Sequence, residues 1–506
     1  MTQITSDPLP DSAPTDAKPA AVRALASTSR GRKAILGLGW SVVNTGSATI
    51  IAAIVFVVTS RLLGPTEFGI VALAISIVTF LGCATPASFG EAIIQRAQIS
   101  DDHLDTVFWT CVASGVVLYL PILLLAPTVA SFAGEPVLAM LLPFIGLKLV
   151  IDLIAVVPQA LVIRDMQFKY IAARTAIGNG VGGAVCILMA LNGYGLWALA
   201  MAPVITSVVS MVILVRAARW RPGLRVSGSA ARDLMRFGLF SSGNRILTVI
   251  NLDQIMLGLL AGPAVLGLYF LGKRLHDLLS GVTSGALYPV STVFFAAMQK
   301  ERDKHVRPYA LVAGTAALAT FPIFGGLYVL ADDAIPLILG SHWQPAIPTI
   351  QAFAIIGLLF GLHVPTASLA SGLGRADLWF GFELIRYALT LSAIALLIGS
   401  GLDTVMLGIM TVNVVIAPGC FLIARKLIGI TLRRYLRALM VPALATAVMC
   451  VVLLTVPMGM QGLSPVIVLI SQIIAGAITY FIIAFGLSGE EIADIRQTMA
   501  KGKAHG

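Results

Sequence analysis

The sequence predicts an all-α integral membrane protein of about fourteen transmembrane helices, arranged as two parallel six-helix lobes with two further helices at the C-terminus. Three observations predict it. Hydrophobic residues make up 58% of the chain and charged residues 11%, less than half of the roughly 25% charge of a soluble domain. Long apolar runs recur from residue 34 to residue 487, each near the roughly 20 residues that span a bilayer. Two matching octets, Leu62-Leu63-Gly64-Pro65-Thr66-Glu67-Phe68-Gly69 and Leu260-Ala261-Gly262-Pro263-Ala264-Val265-Leu266-Gly267, each sit between two such runs.

Taken in order, residues 1–33 are polar and rich in Pro, Ala, Ser and Thr, and read as a disordered cytoplasmic N-terminus. No short apolar run with a cleavage site precedes the first helix, so no removable signal peptide is expected. Spans 1–6 (34–60, 69–92, 105–131, 137–161, 170–191 and 194–216) form an N-lobe over 34–216. A basic inter-lobe loop follows at 217–235. Spans 7–12 (236–260, 267–297, 308–331, 346–370, 378–400 and 402–424) form a C-lobe over 236–424. Spans 13 and 14 (437–458 and 463–487) occupy 425–487, and 488–506 is a cytoplasmic tail. The longest outer loop, Ala331 to Pro348, reads as an interfacial helix with Trp343 at headgroup level.

Loop charge sets the orientation. Arg164 and Lys169, the five arginines from Arg216 to Arg232, the cluster Lys300 to Arg307, and the cluster Arg425 to Arg437 alternate with loops holding only Arg61. That asymmetry places both termini in the cytoplasm. It also explains the formal net charge of +10, so no nucleic-acid partner is expected. The five cysteines all lie inside apolar runs without metal-type spacing, and neither a metal site nor a disulfide framework is expected.

The octets identify an internal repeat. Gly64-Pro65 and Gly262-Pro263 each end a helix, because Pro donates no N–H and restricts the residue before it. Gly69 and Gly267, four residues after each Pro, let the next helix start close to a neighbour. Six spans per half is an even number, so the halves enter the membrane the same way up.

A charge at the bilayer centre costs about 2.5–3.5 kcal/mol on insertion scales, which makes intramembrane charges the first functional candidates. Lys148 and Asp152 share a face of span four. Arg245 and Asp253 share a face of span seven. Lys273, Arg274, His276 and Asp277 cluster in span eight, Glu383 and Arg386 lie three apart in span eleven, and His363 sits in span ten. At about 1.5 Å per residue, Arg245 lies roughly 14 Å and Arg386 roughly 12 Å inside their helix ends, too deep to snorkel. Two readings stay open for each pair: an ion pair locking helices, or cations lining a cavity for an anionic cargo, for which arginine's planar fork suits phosphate. Asp152, Asp253 and Asp277 are candidates for coupling to H+ or Na+.

Thr59-Ser60-Arg61 with the first octet, then Phe89-Gly90-Glu91-Ala92-Ile93-Ile94-Gln95-Arg96, then Arg164-Asp165-Met166-Gln167-Phe168, resemble bacterial polysaccharide flippases. These are the Wzx-like O-antigen and exopolysaccharide translocases of the multidrug/oligosaccharidyl-lipid/polysaccharide exporter superfamily. The resemblance implies a six-plus-six-plus-two bundle that alternates between inward-open and outward-open states. It implies a cargo of oligosaccharide on undecaprenyl pyrophosphate, with membrane lipids and polymerase or chain-length enzymes as partners. It would assign the pyrophosphate to Arg245, Lys273 and Arg274, with Arg386 and Lys148 as second choices. The two C-terminal helices would offer a groove to the lipid tail.

The nearest rival is a drug/cation antiporter of the same superfamily, which would favour acids over cations in the cavity. A membrane polymerase or ligase would need a sizeable outer loop with catalytic Arg or His. The chain shows neither that loop nor a Gly-Lys-Ser/Thr nucleotide loop, so the expectation is a transporter without enzymatic activity and without a cofactor beyond a coupling ion.

Overall fold

The computed structural model describes residues 29–86, 89–96, 99–224, 251–298, 305–460 and 462–487. The first half contains α1 (Ser29–Leu62), α2 (Pro65–Gly82), α3 (Phe89–Gln95), α4 (Asp101–Ala133), α5 (Leu138–Ile154), α6 (Val156–Arg164), α7 (Phe168–Leu191) and α8 (Leu196–Ala218). The second contains α9 (Leu252–Leu260), α10 (Pro263–Ala297), α11 (Val306–Ile338), a 3-10 turn (Ser341–Ala346), α12 (Ile347–Gly372), α13 (Ala376–Leu397), α14 (Leu402–Ile416) and α15 (Pro418–Ile428). Two last helices, α16 (Leu432–Thr455) and α17 (Pro465–Leu487), pack on each other and on α11.

Among the described residues, eleven helical segments are long and apolar enough to cross a membrane. The pair that makes up α10, bent by 47°, is a twelfth. The expected fourteen are not reached, for two reasons. Most of the seventh expected span lies outside the described residues, which resume at Asn251. In α1 only Gly46–Leu62 counts as an apolar helix, and it is a short one.

Several expected spans are interrupted, and the chemistry of the interruptions is local. The second breaks after Gly82, where Thr85 Oγ1 donates to Gly82 O at 2.7 Å and Pro86 follows. A side chain bonding its own helix end competes with helix continuation. The fourth breaks at Ala155 into α5 and α6. Pro158 has no N–H for the carbonyl four residues back, at Ile154, which is where α5 ends. Pro418 likewise starts α15 after the break at Ala417.

Both octets are helix–turn–helix corners with Pro as the first helical residue, Pro65 in α2 and Pro263 in α10. The neighbour each corner approaches is the other corner. A Cβ on Gly69 would overlap the Pro263 carbonyl, and a Cβ on Gly267 would overlap the Pro65 carbonyl. The contact is reciprocal, as expected where two related elements meet about a two-fold axis. The two halves therefore join through α2 and α10, with α9 also packed on α2.

More of the N- and C-lobes meets at this same end. Phe68 packs edge-on against Phe56 and Trp343, with ring centroids 6.1 and 5.4 Å apart. Trp343 Nε1 donates to Ser60 O at 2.8 Å, and the His342 Nε2 lies 2.9 Å from the same oxygen. Arg61 Nε donates to Ile338 O at 2.7 Å and its Nη2 to Leu337 O, capping the last carbonyls of α11. This corrects the expected headgroup position of Trp343. The residue is fully buried, because α11 runs on to Ile338 and the 3-10 turn folds its indole onto the end of α1.

At the opposite end, two stretches that carry the family resemblance meet. Arg164 Nη1 donates to Ile93 O at 2.8 Å and Arg96 O at 2.5 Å, holding the end of α6 against the end of α3. The start of the inter-lobe segment docks on α4, where Gly223 N–H donates to Asp105 at 2.9 Å and Trp109 Nε1 to Gly223 O at 2.8 Å.

Candidate functional site

Between the lobes lies a cavity of about 1250 Å3. Phe56, Thr59 and Phe68 line it towards the Gly-Pro corners, and Glu91, Ile163 and Arg174 towards the opposite end. Among the described residues, four cations reach its wall, Lys148 from α5, Arg174 from α7, and Lys273 and Arg274 from α10, and so do three carboxylates, Glu91, Asp152 and Asp277. A wall this polar within a membrane-spanning bundle requires water or a polar ligand inside it.

The cations are not equivalent. Lys148 and Asp152, four apart on α5, form an ion pair on the cavity wall, with both side chains partly exposed to it. Lys273 is spoken for by Asp253. Its Nζ donates to Asp253 Oδ2 at 2.6 Å and to Asn251 Oδ1 at 3.2 Å. Asp253, only 4% exposed, also accepts from the Tyr269 hydroxyl at 2.6 Å and the Tyr387 hydroxyl at 3.5 Å. A buried carboxylate with three donors is fully satisfied, and Lys273 is its counter-charge.

Arg274 lines the cavity without a hydrogen bond or ion pair to a carboxylate among the described residues; Asp277, one turn on, attracts it through space. Arg174 donates from Nη1 to the neutral Gln159 Oε1 at 2.9 Å. Its Nε is buried with no partner among the described residues. These two guanidiniums have donors to spare for an anion.

The structure thus brings Lys148, Lys273, Arg274, Asp152 and Asp277 to one cavity, with Asp253 directly behind it. It places Arg386 elsewhere, paired with Glu383 through Nη2 at 2.6 Å and Nε at 3.1 Å and facing a second cavity in the C-lobe. Arg245 lies outside the described residues. Arg174, Gln159 and Gln254, which adds nothing to the charge pattern but accepts from Ser76 Oγ at 2.8 Å across the lobe boundary, line the cavity without standing out among the deep charges of the sequence. Arg174 stands in the second turn of α7, where a long cation reads as a snorkelling end charge. Its pairing with Gln159 rather than an acid is the signal that sets it apart, and that signal is spatial.

Similarity to known proteins follows the same layout. The chain is 26% identical over 388 residues to the succinoglycan biosynthesis transport protein ExoT of Rhizobium meliloti (strain 1021), covering 76% of this chain and 78% of that protein. It is 26% identical over 427 residues to the lipopolysaccharide biosynthesis protein WzxC of Escherichia coli (strain K12), covering 81% and 85%. It is 25% identical over 454 residues to the teichuronic acid biosynthesis protein TuaB of Bacillus subtilis (strain 168), covering 85% and 90%. Among solved structures, the fold is that of the lipid II flippase MurJ in its inward closed conformation, with TM-score 0.73 at 12% identity, covering 90% of this chain and all of that one. An inward-facing multidrug resistance MATE family transporter matches less well, with TM-score 0.57 at 17% identity over 77% of this chain and 94% of its own. Residues 58–348, more than half of the chain, match the family described as polysaccharide biosynthesis protein, and the chain, a multi-pass all-α membrane protein with the corner motifs and the cation-lined cavity between its lobes, belongs to that family.

Proposed function

We propose that this protein translocates oligosaccharide linked to undecaprenyl pyrophosphate across the bacterial inner membrane by alternating access. The observation that carries the reading is a polar cavity of about 1250 Å3 inside the bundle, sealed at the corner end and holding two arginines with unused donors. Arg174 and Arg274 engage the pyrophosphate, since a guanidinium fork matches phosphate oxygens two at a time. Lys148 and Lys273 are already paired with Asp152 and Asp253 and add little net positive potential. Arg245 remains a candidate in the same role.

Loop charge supports placing the corner end outside and both termini in the cytoplasm. In that orientation the contacts at the corner end close the outer side, and cargo made on the cytoplasmic side enters from the opposite end. The names of the relatives, a succinoglycan transport protein among them, support an exported polysaccharide unit as cargo and a transporter rather than an enzyme. Polymerase and chain-length enzymes of the same route are the expected protein partners. Coupling to H+ or Na+ falls on Asp152 or Asp277, which face the cavity, or on Asp253 behind it.

The test is transport of fluorescent lipid-linked oligosaccharide in proteoliposomes. Arg174→Ala and Arg274→Ala each lower the rate at least tenfold while the protein remains inserted and monodisperse. Wild-type rates in both variants would remove the anion-binding role. A drug/cation antiporter would instead move an organic cation against H+ in the same vesicles and leave the labelled lipid in place.

A further inference from the structure

Helix α10 is a wall shared by two cavities. Arg274 and Asp277 face the main one, while His276 and Tyr288 face a second of about 540 Å3, within the range of small-molecule sites (about 300–1,000 Å3). Helices α12, α13 and α14 close its other sides. Helix α13 is two-faced here. Phe380, Leu384 and Ile385 are exposed on its bilayer side, and Trp379, Glu383 and Arg386 line the cavity.

The polar atoms in this cavity are unevenly used. Arg386 spends Nη2 and Nε on the single oxygen Oε2 of Glu383, so the pair itself leaves Arg386 Nη1 and Glu383 Oε1 over. Asn413 spends one amide N–H on Ile409 O at 2.8 Å, which leaves its other N–H and its carbonyl. His363 is 9% exposed, and its Nε2 has no hydrogen-bond partner among the described residues. Its ring stands edge-on to Trp379 and Phe382, at 6.0 and 5.7 Å between centroids. A buried polar atom left unsatisfied costs about 1–3 kcal/mol, a cost that a ligand supplying the missing bond removes.

The chemistry of the occupant follows. Glu383 and Arg386 neutralise each other, so the cavity offers no net charge to hold an ionic ligand. An acyl chain would desolvate the pair and satisfy nothing. A neutral polyol fits, because each hydroxyl both donates and accepts, and its C–H faces cover aromatic planes such as Trp379 and Phe360. We propose that this second cavity is a carbohydrate subsite, which holds sugar rings of the cargo. The proposal rests on the translocation reading above and adds a site that reads the sugar.

The experiment uses full-length protein in lipid nanodiscs and three probes: undecaprenyl pyrophosphate, the lipid-linked oligosaccharide pool extracted from the native host, and the oligosaccharide freed from that pool by mild acid. Trp379→Ala and His363→Ala weaken binding of the extracted pool and of the freed oligosaccharide tenfold or more. They leave undecaprenyl pyrophosphate within twofold, and Trp379→Tyr retains sugar binding within about threefold, which separates a lost stacking plane from a lost fold. If both alanine variants weaken all three probes alike, or none, the subsite does not exist and the pyrophosphate reading stands. If wild-type protein fails to hold undecaprenyl pyrophosphate, the pyrophosphate reading falls, and the freed oligosaccharide alone decides the subsite.

Discussion

Lys273 shows why a charge inside a membrane protein is not automatically a ligand site. Its sequence neighbours Arg274 and Asp277 suggest a shared face, yet the three side chains have different work. Lys273 reaches Asp253 at 2.6 Å, whereas Arg274 keeps its donors for the cavity. Removing one member of a buried pair strands the other charge and costs about 3–5 kcal/mol, whereas replacing both by neutral groups is close to neutral. Lys273→Met is therefore expected to lower the thermal unfolding midpoint in detergent sharply, and Lys273→Met with Asp253→Asn to recover most of it. A Lys273→Met protein as stable as wild type would show that Asp253 has another counter-charge. Sequence spacing found both residues as deep charges. It could not tell the Asp253 pair from an open cavity charge, because the partners Tyr269 and Tyr387 lie 16 and 134 positions away.

At the scale of elements, the two Gly-Pro corners are where the fold was most legible. Proline at a helix start and glycine four residues on are local signals, and both survive in α2 and α10 as read. That the two glycines face each other's preceding prolines is not local, and no periodicity contains it. The interruptions of the second and fourth spans sit at Pro86 and Pro158, so their causes were present in the sequence. The continuous α12 carries Pro365 and stays whole, because tertiary packing can reseal the one lost bond. The close approach gives a direct test. Gly69→Val or Gly267→Val inserts side-chain volume where even a Cβ overlaps a backbone carbonyl, and the α2–α10 crossing has to separate. Ser60, fully buried in this state, is the reporter. In a background lacking the five native cysteines, Ser60→Cys is expected to resist a membrane-impermeant maleimide, and to label at least tenfold faster once Gly267→Val is added. Equal protection in both proteins would mean that the corner crossing does not hold this end shut.

At the scale of the whole molecule, the closure at the corner end is built from many small contacts rather than one strong one. The Gly69–Gly267 crossing, the Phe56–Phe68–Trp343 cluster, the hydrogen bonds of Trp343 and His342 to Ser60 O, and the Arg61 cap on α11 all join the N-lobe to the C-lobe. An alternating-access protein needs this seal to be breakable, since a state is useful only if its rival lies within a few kcal/mol. Each neutral hydrogen bond contributes about 0.5–1.5 kcal/mol net, so deleting one shifts the balance between states by a few-fold without unfolding either lobe. Trp343→Phe keeps the ring packed on Phe68 and removes only the donor to Ser60 O. Arg61→Met removes the cap on Leu337 and Ile338. With spin labels on the exposed ends of α1 and α11, the wild-type distance distribution is expected to be dominated by the short, sealed separation. Trp343→Phe moves roughly a few-fold more of the population to a longer separation, Arg61→Met, which removes two bonds from a charged donor, moves at least as much, and the double variant moves more than either. An unchanged distribution in the double variant would place the energy of the seal in the glycine crossing and the aromatic cluster alone, and would make this end a fixed hinge about which the lobes pivot rather than a gate.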